Sequence, residues 1–194
     1  MIFFKNSRKM PKLFFRHAAM SSGKTAHLIS VANNYEALGK RVLLLKPAID
    51  TRSENIVESR LGITRKVDHL LYDDTIIQKE WLNGICCVLV DEVQFLSDLV
   101  VLQLRNLTID PGIPVMCYGL RSTASLELFP GSAKLFAVAD IIEELCHVLC
   151  GKCCKSRAIV NWRRGGPTQM IEIGGSDKYI PLCYKCYYQD PIQK

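Results

Sequence analysis

Residues 18–25, Ala-Ala-Met-Ser-Ser-Gly-Lys-Thr, have the composition of a phosphate-binding loop. Small residues let successive backbone N–H groups surround a phosphate at the N-terminus of a helix. In such a loop Lys24 would reach the outer phosphates, and the hydroxyl of Thr25 would ligate Mg²⁺. The full pattern begins with glycine, whereas Ala18 occupies that position here. An ordinary helix start is therefore the alternative interpretation.

An acidic pair follows a second apolar segment. Residues 85–90 form a continuous apolar run that ends in Asp91 and Glu92. Runs of this kind are typical of buried parallel strands, and ligands collect at the carboxyl ends of such strands. Downstream of a phosphate-binding loop, Asp91 is the expected outer partner of the metal. A surface acidic pair at a strand end is the alternative.

Two C-x-x-C pairs lie near the C-terminus, Cys150 with Cys153 and Cys183 with Cys186. Each pair directs two thiolates to one point, and together they complete a tetrahedral zinc site, which is structural because no position stays open. Free thiols or a redox pair are the alternative. Cys154 could also replace Cys153 as a ligand.

The elements that must position these residues follow a β-α-β rhythm, which predicts an α/β fold with a parallel sheet of the P-loop, RecA-like kind. The apolar patterns predict strands over residues 12–17, 41–45, 85–90 and 113–118, and helices over 25–38, 97–106 and 132–139. Residues 48–62 are expected to form a loop near the site, and residues 66–82 a short strand followed by a helix. We expect a tail (1–11), a nucleotide-binding domain (12–146), a zinc-binding domain (147–190) and a second tail (191–194).

Composition and charge give weaker indications of function and location than the motifs do. The net charge of +6 has basic termini as its simplest explanation, so charge alone does not favour nucleic-acid binding. No apolar run approaches the roughly 20 residues of a membrane span. The apolar stretch near the N-terminus is too short for a signal peptide, and Met10 is an alternative native start. These features, with metal-type cysteine spacing, indicate a cytoplasmic protein.

The chain resembles the cytosolic, zinc-containing (type II) thymidine kinases of animals and many bacteria. The resemblance covers about residues 12–188, and six segments carry it besides the two cysteine pairs: residues 18–25, 50–52 (Asp-Thr-Arg), 91–95 (Asp-Glu-Val-Gln-Phe), 118–121 (Tyr-Gly-Leu-Arg), 128–134 (Leu-Phe-Pro-Gly-Ser-Ala-Lys) and 173–179 (Ile-Gly-Gly-Ser-Asp-Lys-Tyr). It implies transfer of phosphate from ATP, with Mg²⁺, to the 5′-hydroxyl of thymidine or deoxyuridine. It also implies a homotetramer, while the charge and the hydropathy lead us to expect no binding to nucleic acid or membrane.

The resemblance assigns roles to single residues. Glu92 would be the general base, Arg52 would supply positive charge at the transferred phosphoryl group, and Gln94 would help to position that group. The residues expected to contact ATP and its metal are Ala18, Ala19, Met20, Ser21, Ser22, Gly23, Lys24, Thr25, Asp50, Thr51, Arg52, Asp91 and Gln94. The residues expected to contact the nucleoside are Phe95, Leu120, Ala124, Met170, Ile171, Glu172, Ile173, Gly174 and Tyr179, of which 170–174 form a lasso loop that binds thymine through main-chain hydrogen bonds. Met20 would also line the base pocket.

One departure from the family bears on affinity. Bacterial relatives usually carry Thr-Asp-Phe after the segment that ends at Arg121, and this chain has Ser122, Thr123 and Ala124. An aromatic contact to the base is therefore expected to be lost at Ala124, at a cost on the order of 1 kcal/mol. Two alternatives stay open from the sequence: an ATPase acting on nucleic acid, suggested by the Asp-Glu pair, and a catalytically weakened relative.

Overall fold

The computed structural model describes residues 10–51, 53, 55–145, 147–165 and 178–189. Its strands, in chain order, are β1 (Leu13–His17), β2 (Arg41–Pro47), β3 (Ile56–Glu58), β4 (Thr64–Lys66), β5 (His69–Leu71), β6 (Ile85–Val90), β7 (Val115–Gly119), β8 (Ile141–Glu144), β9 (Val160–Arg163) and β10 (Tyr179–Leu182). The helices are α1 (Lys24–Ala37), α2 (Asp98–Leu107), α3 (Pro130–Val138) and α4 (Tyr184–Tyr188), with 3₁₀ turns at Lys79–Leu82 and Val93–Phe95.

Six strands form one sheet in the order β5-β2-β6-β7-β1-β8, and every neighbouring pair is parallel. The predicted α/β class with a parallel sheet is thereby confirmed. Parallel strands end at the same edge of a sheet, so the residues that follow β1, β6 and β7 meet there. The phosphate-binding loop follows β1, Asp91 follows β6, and Leu120 follows β7. The topology alone therefore gathers three of the predicted site segments.

Both faces of the sheet are covered by apolar side chains. One face packs on α2 and α3 through a cluster that includes Phe15, Val88 and Leu104. The other packs on α1 through a cluster that includes Leu28 and Leu89. Because each fully buried aliphatic side chain contributes about 1.5–3 kcal/mol, these two layers stabilise the sheet whose strand ends carry the site residues.

The segment between β2 and β6 differs from its predicted structure. Residues 48–62 were expected to be a loop, but they contain β3, which pairs with β4 as an antiparallel hairpin. Val57 and Val67 bury the hairpin in the cluster under α1. The short strand within 66–82 is confirmed as β5, whereas the helix predicted after it is only a single 3₁₀ turn. Strand β8, at the edge of the sheet, was not predicted.

The C-terminal part is a small unit of different construction. Strands β9 and β10 pair as an antiparallel ribbon, followed by the short helix α4. Its buried cluster consists of Cys150, Val160, Leu182, Cys183, Cys186 and Tyr187. Within the described parts of the chain, no helix combines the length and the apolar character needed to cross a bilayer.

Candidate active site

The predicted phosphate-binding loop leads from β1 directly into α1. Gly23 adopts a left-handed conformation (φ 78°) at the N-cap of α1, and Ser21 is also left-handed (φ 67°). Lys24 is buried, and its Nζ lies 3.1 Å from the carbonyl oxygen of Ala19 and 3.4 Å from that of Ala18. The loop therefore wraps around its own lysine, which places the ammonium group at the helix N-terminus where an anion would bind.

Thr25 and Asp91 meet across the sheet edge. The Thr25 hydroxyl donates a hydrogen bond of 2.9 Å to Oδ2 of Asp91, 66 residues away in sequence. Burial, followed by the charge of Glu92, raises the pKa of Asp91 to about 7, and the Thr25 hydroxyl and Lys24 oppose this rise. A buried carboxylate beside a hydroxyl is an oxygen donor set of the kind that Mg²⁺ prefers.

Glu92 is held in place by Gln94. Nε2 of Gln94 donates to Oε2 of Glu92 at 2.5 Å, and Oε1 of Gln94 accepts the backbone N–H of Leu120 at 3.0 Å. The fully buried Gln94 amide therefore connects the carboxylate after β6 to the end of β7. Glu92 itself has a left-handed backbone (φ 50°), and this turn directs the chain into the 3₁₀ turn that follows.

Two glycines allow this close packing. A Cβ at Gly119 would lie 2.5 Å from Oε1 of Gln94. A Cβ at Gly131, in the first turn of α3, would meet the backbone oxygens of Val93 and Leu96, the latter at 2.9 Å. Helix α3 thus lies directly on the turn that presents Glu92 and Gln94. The hydroxyl of Ser132 donates to the carbonyl oxygen of Leu120 at 2.6 Å and fixes the same contact.

Asp50 forms an ion pair with a buried lysine of β2. It is buried at the carboxyl end of β2, where its Oδ2 lies 3.5 Å from Nζ of Lys46, which is itself 1% exposed. Lys46 also donates to the carbonyl oxygens of Ser53 and, at 3.3 Å, Ile56. The pair thus secures the chain between β2 and the β3–β4 hairpin. Thr51 is exposed in the turn that follows, and Arg52 lies outside the described residues.

Four predicted nucleoside contacts fall in the described part of the chain. Phe95 packs edge-to-face on Phe129 with 5.7 Å between ring centroids, and half-buried Leu120 follows β7. Half-buried Ala124 lies in a turn closed by a bridge between residues 122 and 128, and Tyr179 begins β10. The predicted thymine-binding residues Met170, Ile171, Glu172, Ile173 and Gly174 lie outside the described residues.

The two cysteine pairs converge. Sγ atoms of Cys150, Cys153, Cys183 and Cys186 all lie within 4.8 Å of one another, and those of Cys153 and Cys183 are 3.9 Å apart. Four sulfurs bound to one zinc at about 2.3 Å would lie about 3.8 Å apart in a tetrahedron, so the cluster fits that ion. Cys154, the alternative, is exposed and has a left-handed backbone outside the cluster.

The cluster favours ionised sulfur at Cys150 and opposes it at Cys186, whose pKa is raised by burial and by the neighbouring cysteines. Burial opposes ionisation of Cys150, but hydrogen bonds from the backbone of Cys153, Cys183 and Lys152 outweigh it and lower the pKa of this thiol to about 6. The thiolate is the form that binds a metal. This unit could therefore hold zinc, with its second pair at the start of α4, where the Cys186 N–H approaches Sγ of Cys183 at 3.5 Å.

Among the buried polar residues that shape the site, Lys46 and Ser132 were assigned no role from the sequence. A lysine directly after three leucines in a predicted buried strand is a signal that could have indicated Lys46, because a buried ammonium requires partners. Ser132 follows Pro130 and Gly131 at a helix start, and nothing in that pattern distinguishes it from an ordinary cap.

Comparison with known proteins gives a consistent result. A family model described as "Thymidine kinase" matches residues 11–187. A thymidine kinase of Shouchella clausii is 41% identical over 94% of this chain and 99% of its own length. A thymidine kinase of Streptococcus agalactiae is 37% identical over 94% of this chain and all of its own length. A solved structure of Pif1 helicases at forked DNA covers 68% of this chain and 35% of its own, at 13% identity and a TM-score of 0.33, a likeness too low to support any argument.

Proposed function

The chain belongs to the thymidine kinase family, and from this premise we propose that it transfers a phosphoryl group from ATP to the 5′-hydroxyl of thymidine, and of deoxyuridine, giving the nucleoside monophosphate and ADP. The contact that carries the proposal is the 2.9 Å hydrogen bond between Thr25 and Asp91. It joins the end of the phosphate-binding loop to the strand end that also bears Glu92.

The phosphates of ATP would lie on the loop of residues 18–25. Backbone N–H groups of the loop and the ammonium of Lys24 would neutralise part of their charge, and the positive end of α1 would add to this. The contacts of Lys24 with the Ala18 and Ala19 carbonyls hold its side chain along the loop before any nucleotide arrives. The Lys24 side chain therefore loses little conformational freedom when the loop binds a nucleotide.

Thr25 and Asp91 would hold Mg²⁺, whose oxygen preference fits this hydroxyl and carboxylate. When bound, the ion supplies positive charge to the β- and γ-phosphate oxygens. Asp91 and the Thr25 hydroxyl are already oriented towards each other at the sheet edge. Positive charge beside Asp91 favours its ionised form, which opposes the effect of burial on its pKa.

Glu92 would accept the proton of the 5′-hydroxyl as that oxygen attacks phosphorus. Gln94 holds the carboxylate through the 2.5 Å hydrogen bond and thereby fixes its position at the strand end. On the basis of the family, we propose that the positive charge of Arg52 stabilises the negative charge that develops on the transferred phosphoryl group. Charge stabilisation of this kind is typical of phosphoryl transfer, in which most catalysis is positioning and electrostatics.

Nucleoside recognition is likewise proposed from the family. Thymine would be bound by main-chain groups of residues 170–174, with Tyr179 beside the nucleoside and Met20, Phe95 and Leu120 against the base. The cysteine unit would carry this segment, since β9 and β10 flank it in sequence. Zinc would be held by Cys150, Cys153, Cys183 and Cys186 and would stabilise the unit without taking part in the reaction.

We also infer a homotetramer, from the family, and a cytoplasmic location. The second inference is supported by the cysteine cluster, because thiolate ligands persist in a reducing compartment. Sedimentation of the purified protein at several concentrations would measure the assembly.

The function is tested by ADP release in the presence of ATP, Mg²⁺ and a panel of nucleosides. We expect release that depends on thymidine or deoxyuridine and is lost in Lys24→Ala, since the ammonium group of Lys24 neutralises the phosphates. Hydrolysis stimulated by DNA and indifferent to thymidine would instead identify a nucleic-acid ATPase. Unchanged ATP affinity of Lys24→Ala in calorimetry would contradict the role of the loop.

A further inference from the structure

A buried side chain connects the cysteine unit to the phosphate-binding loop. Asn161, the second residue of β9, is 6% exposed, and its Oδ1 accepts the backbone N–H of Met20 at 2.8 Å. The two residues are 141 positions apart in sequence. A buried amide hydrogen bond of normal length over this separation is a specific link between two parts of the fold.

Met20 stands where the loop turns. The next residue, Ser21, and Gly23 both have left-handed backbones, and this succession of conformations turns neighbouring N–H groups towards one side of the loop. The arrangement of these N–H groups depends on the direction in which the chain enters the loop. Fixing the Met20 N–H fixes that direction just before the residues whose amide groups would face a phosphate.

Asn161 is itself held by the cysteine unit. It lies opposite Pro181 in the β9–β10 ribbon, and its neighbour Val160 is fully buried among the clustered cysteines. The position of the Asn161 amide therefore depends on the order of the unit. A second contact crosses the same interface, the 2.5 Å ion pair between Arg157 and Glu144 at the end of β8, and this pair involves no residue of the loop.

We infer that Asn161 is a positioning residue for the phosphate-binding loop, and that it makes nucleotide affinity depend on the folding of the cysteine unit. The inference rests on the proposed function in so far as residues 18–25 are taken to bind phosphates. Asn161 acts through Met20 and has no assigned role in the chemical step. Its removal is expected to alter nucleotide binding by the free protein, in the absence of any nucleoside.

The test is Asn161→Leu, which keeps the size of the side chain and removes its acceptor. The dissociation constant of ADP with Mg²⁺, measured by calorimetry without nucleoside, should rise between about threefold and tenfold, as expected for the loss of one hydrogen bond. Hydrogen exchange of the Met20 amide should become faster. Arg157→Ala is the matched control, because it loosens the same interface without changing the loop, and its ADP affinity should stay within about twofold of the parent.

The outcomes separate the inference from the proposed function. Unchanged ADP affinity and Met20 exchange in Asn161→Leu would overturn the inference, as would an equal loss of affinity in Arg157→Ala. If Asn161→Leu loses zinc, Asn161→Ala is measured in its place with the same expectations, since it removes the acceptor without overpacking. A parent protein that binds no ADP would contradict the proposed function, and the exchange of Met20 would then still decide whether Asn161 holds the loop.

Discussion

The proposed nucleotide site and the cysteine unit are built in opposite ways. The first lies at the edge of a six-stranded sheet whose two faces are both covered by helices, and its residues are held by a large apolar core. The second has a two-stranded ribbon, one short helix and a buried cluster in which three of six residues are cysteine. A core this small gains little from apolar burial, so we expect a metal ion held by its four cysteines to supply much of its stability.

The difference separates two kinds of vulnerability. In the nucleotide site a substitution removes a chemical group while the framework persists, so effects should appear in turnover. In the cysteine unit the ligands are the framework, so one substitution should change structure, metal content and ligand binding together. The four predictions below test this separation, beginning with the largest expected effect.

Cys183→Ser should remove one thiolate from the cluster and unfold the unit, because structural zinc sites contribute roughly 10–16 kcal/mol of coupled folding free energy. Zinc content by elemental analysis and thymidine affinity by calorimetry should fall together. The matched control is Cys154→Ser, which alters an exposed cysteine outside the cluster and should keep both quantities at parental levels. Freshly purified, reduced parent protein without zinc would contradict the assignment.

Glu92→Gln should retain nucleotide binding and lower kcat with thymidine by about 10²–10⁴-fold, because the substitution keeps the shape and removes the proton acceptor. Steady-state kinetics and ADP calorimetry on the same preparation measure the two quantities. A kcat within a few-fold of the parent would show that another group takes the proton.

Alanine substitutions at two glycines, one in each region, allow a direct comparison of how the two regions tolerate an added methyl group. A Cβ at Gly131 would meet backbone oxygens of Val93 and Leu96, in and after the 3₁₀ turn that follows Glu92, whereas a Cβ at Gly151 in the cysteine unit would meet the side chain of Ile180, which can rotate. Gly131→Ala should therefore lower the free energy of unfolding by about 1–3 kcal/mol and reduce kcat. Gly151→Ala should produce a smaller decrease in both the free energy of unfolding and kcat. Denaturant titration and activity assays of both variants measure these decreases. A larger decrease in Gly151→Ala would show that the cysteine unit accommodates an added methyl group less well than the sheet edge does.

Ala124→Phe should produce the smallest effect. Adding the aromatic side chain that the family resemblance leads us to expect at this position should lower the KM for thymidine by about tenfold at most, for a contact worth roughly 1 kcal/mol, with little change in kcat. Ser125→Phe, at the exposed neighbouring position of the same turn, is the control and should leave KM unchanged. A higher KM in Ala124→Phe would mean that another side chain already fills the gap, and that the family correspondence fails between residues 122 and 128.

Two features of the candidate site could be predicted from the sequence: the meeting of two segments at one sheet edge, and the cysteine cluster. The loop after β1 and the acidic pair after β6 were expected at one sheet edge because continuous apolar runs indicate parallel strands, and the structure joins them through Thr25 and Asp91. The cysteine spacing likewise predicted a cluster, which the structure forms from Cys150, Cys153, Cys183 and Cys186. Both are regular patterns that a short window of sequence contains in full.

Contacts between distant elements could not be read in this way. The β3–β4 hairpin has strands of three residues, too short for a period to be visible, and it exists because Val57 and Val67 pack on α1. The path from Glu92 through Gln94 to Leu120 depends on how two strand ends meet. The partners of Lys46 are backbone carbonyls, which every sequence contains.

The left-handed backbone of Glu92 limits which side chains the position can accept, independently of catalysis. At φ 50° a β-branched residue is strongly disfavoured, while glycine, asparagine and aspartate are tolerated. Variants in a saturation library at position 92 would therefore face two selections, first for the turn that must form and then for the proton transfer that we propose for Glu92. Glutamate passes the first selection only at a conformational cost, which the surrounding packing of Gln94 and α3 must offset.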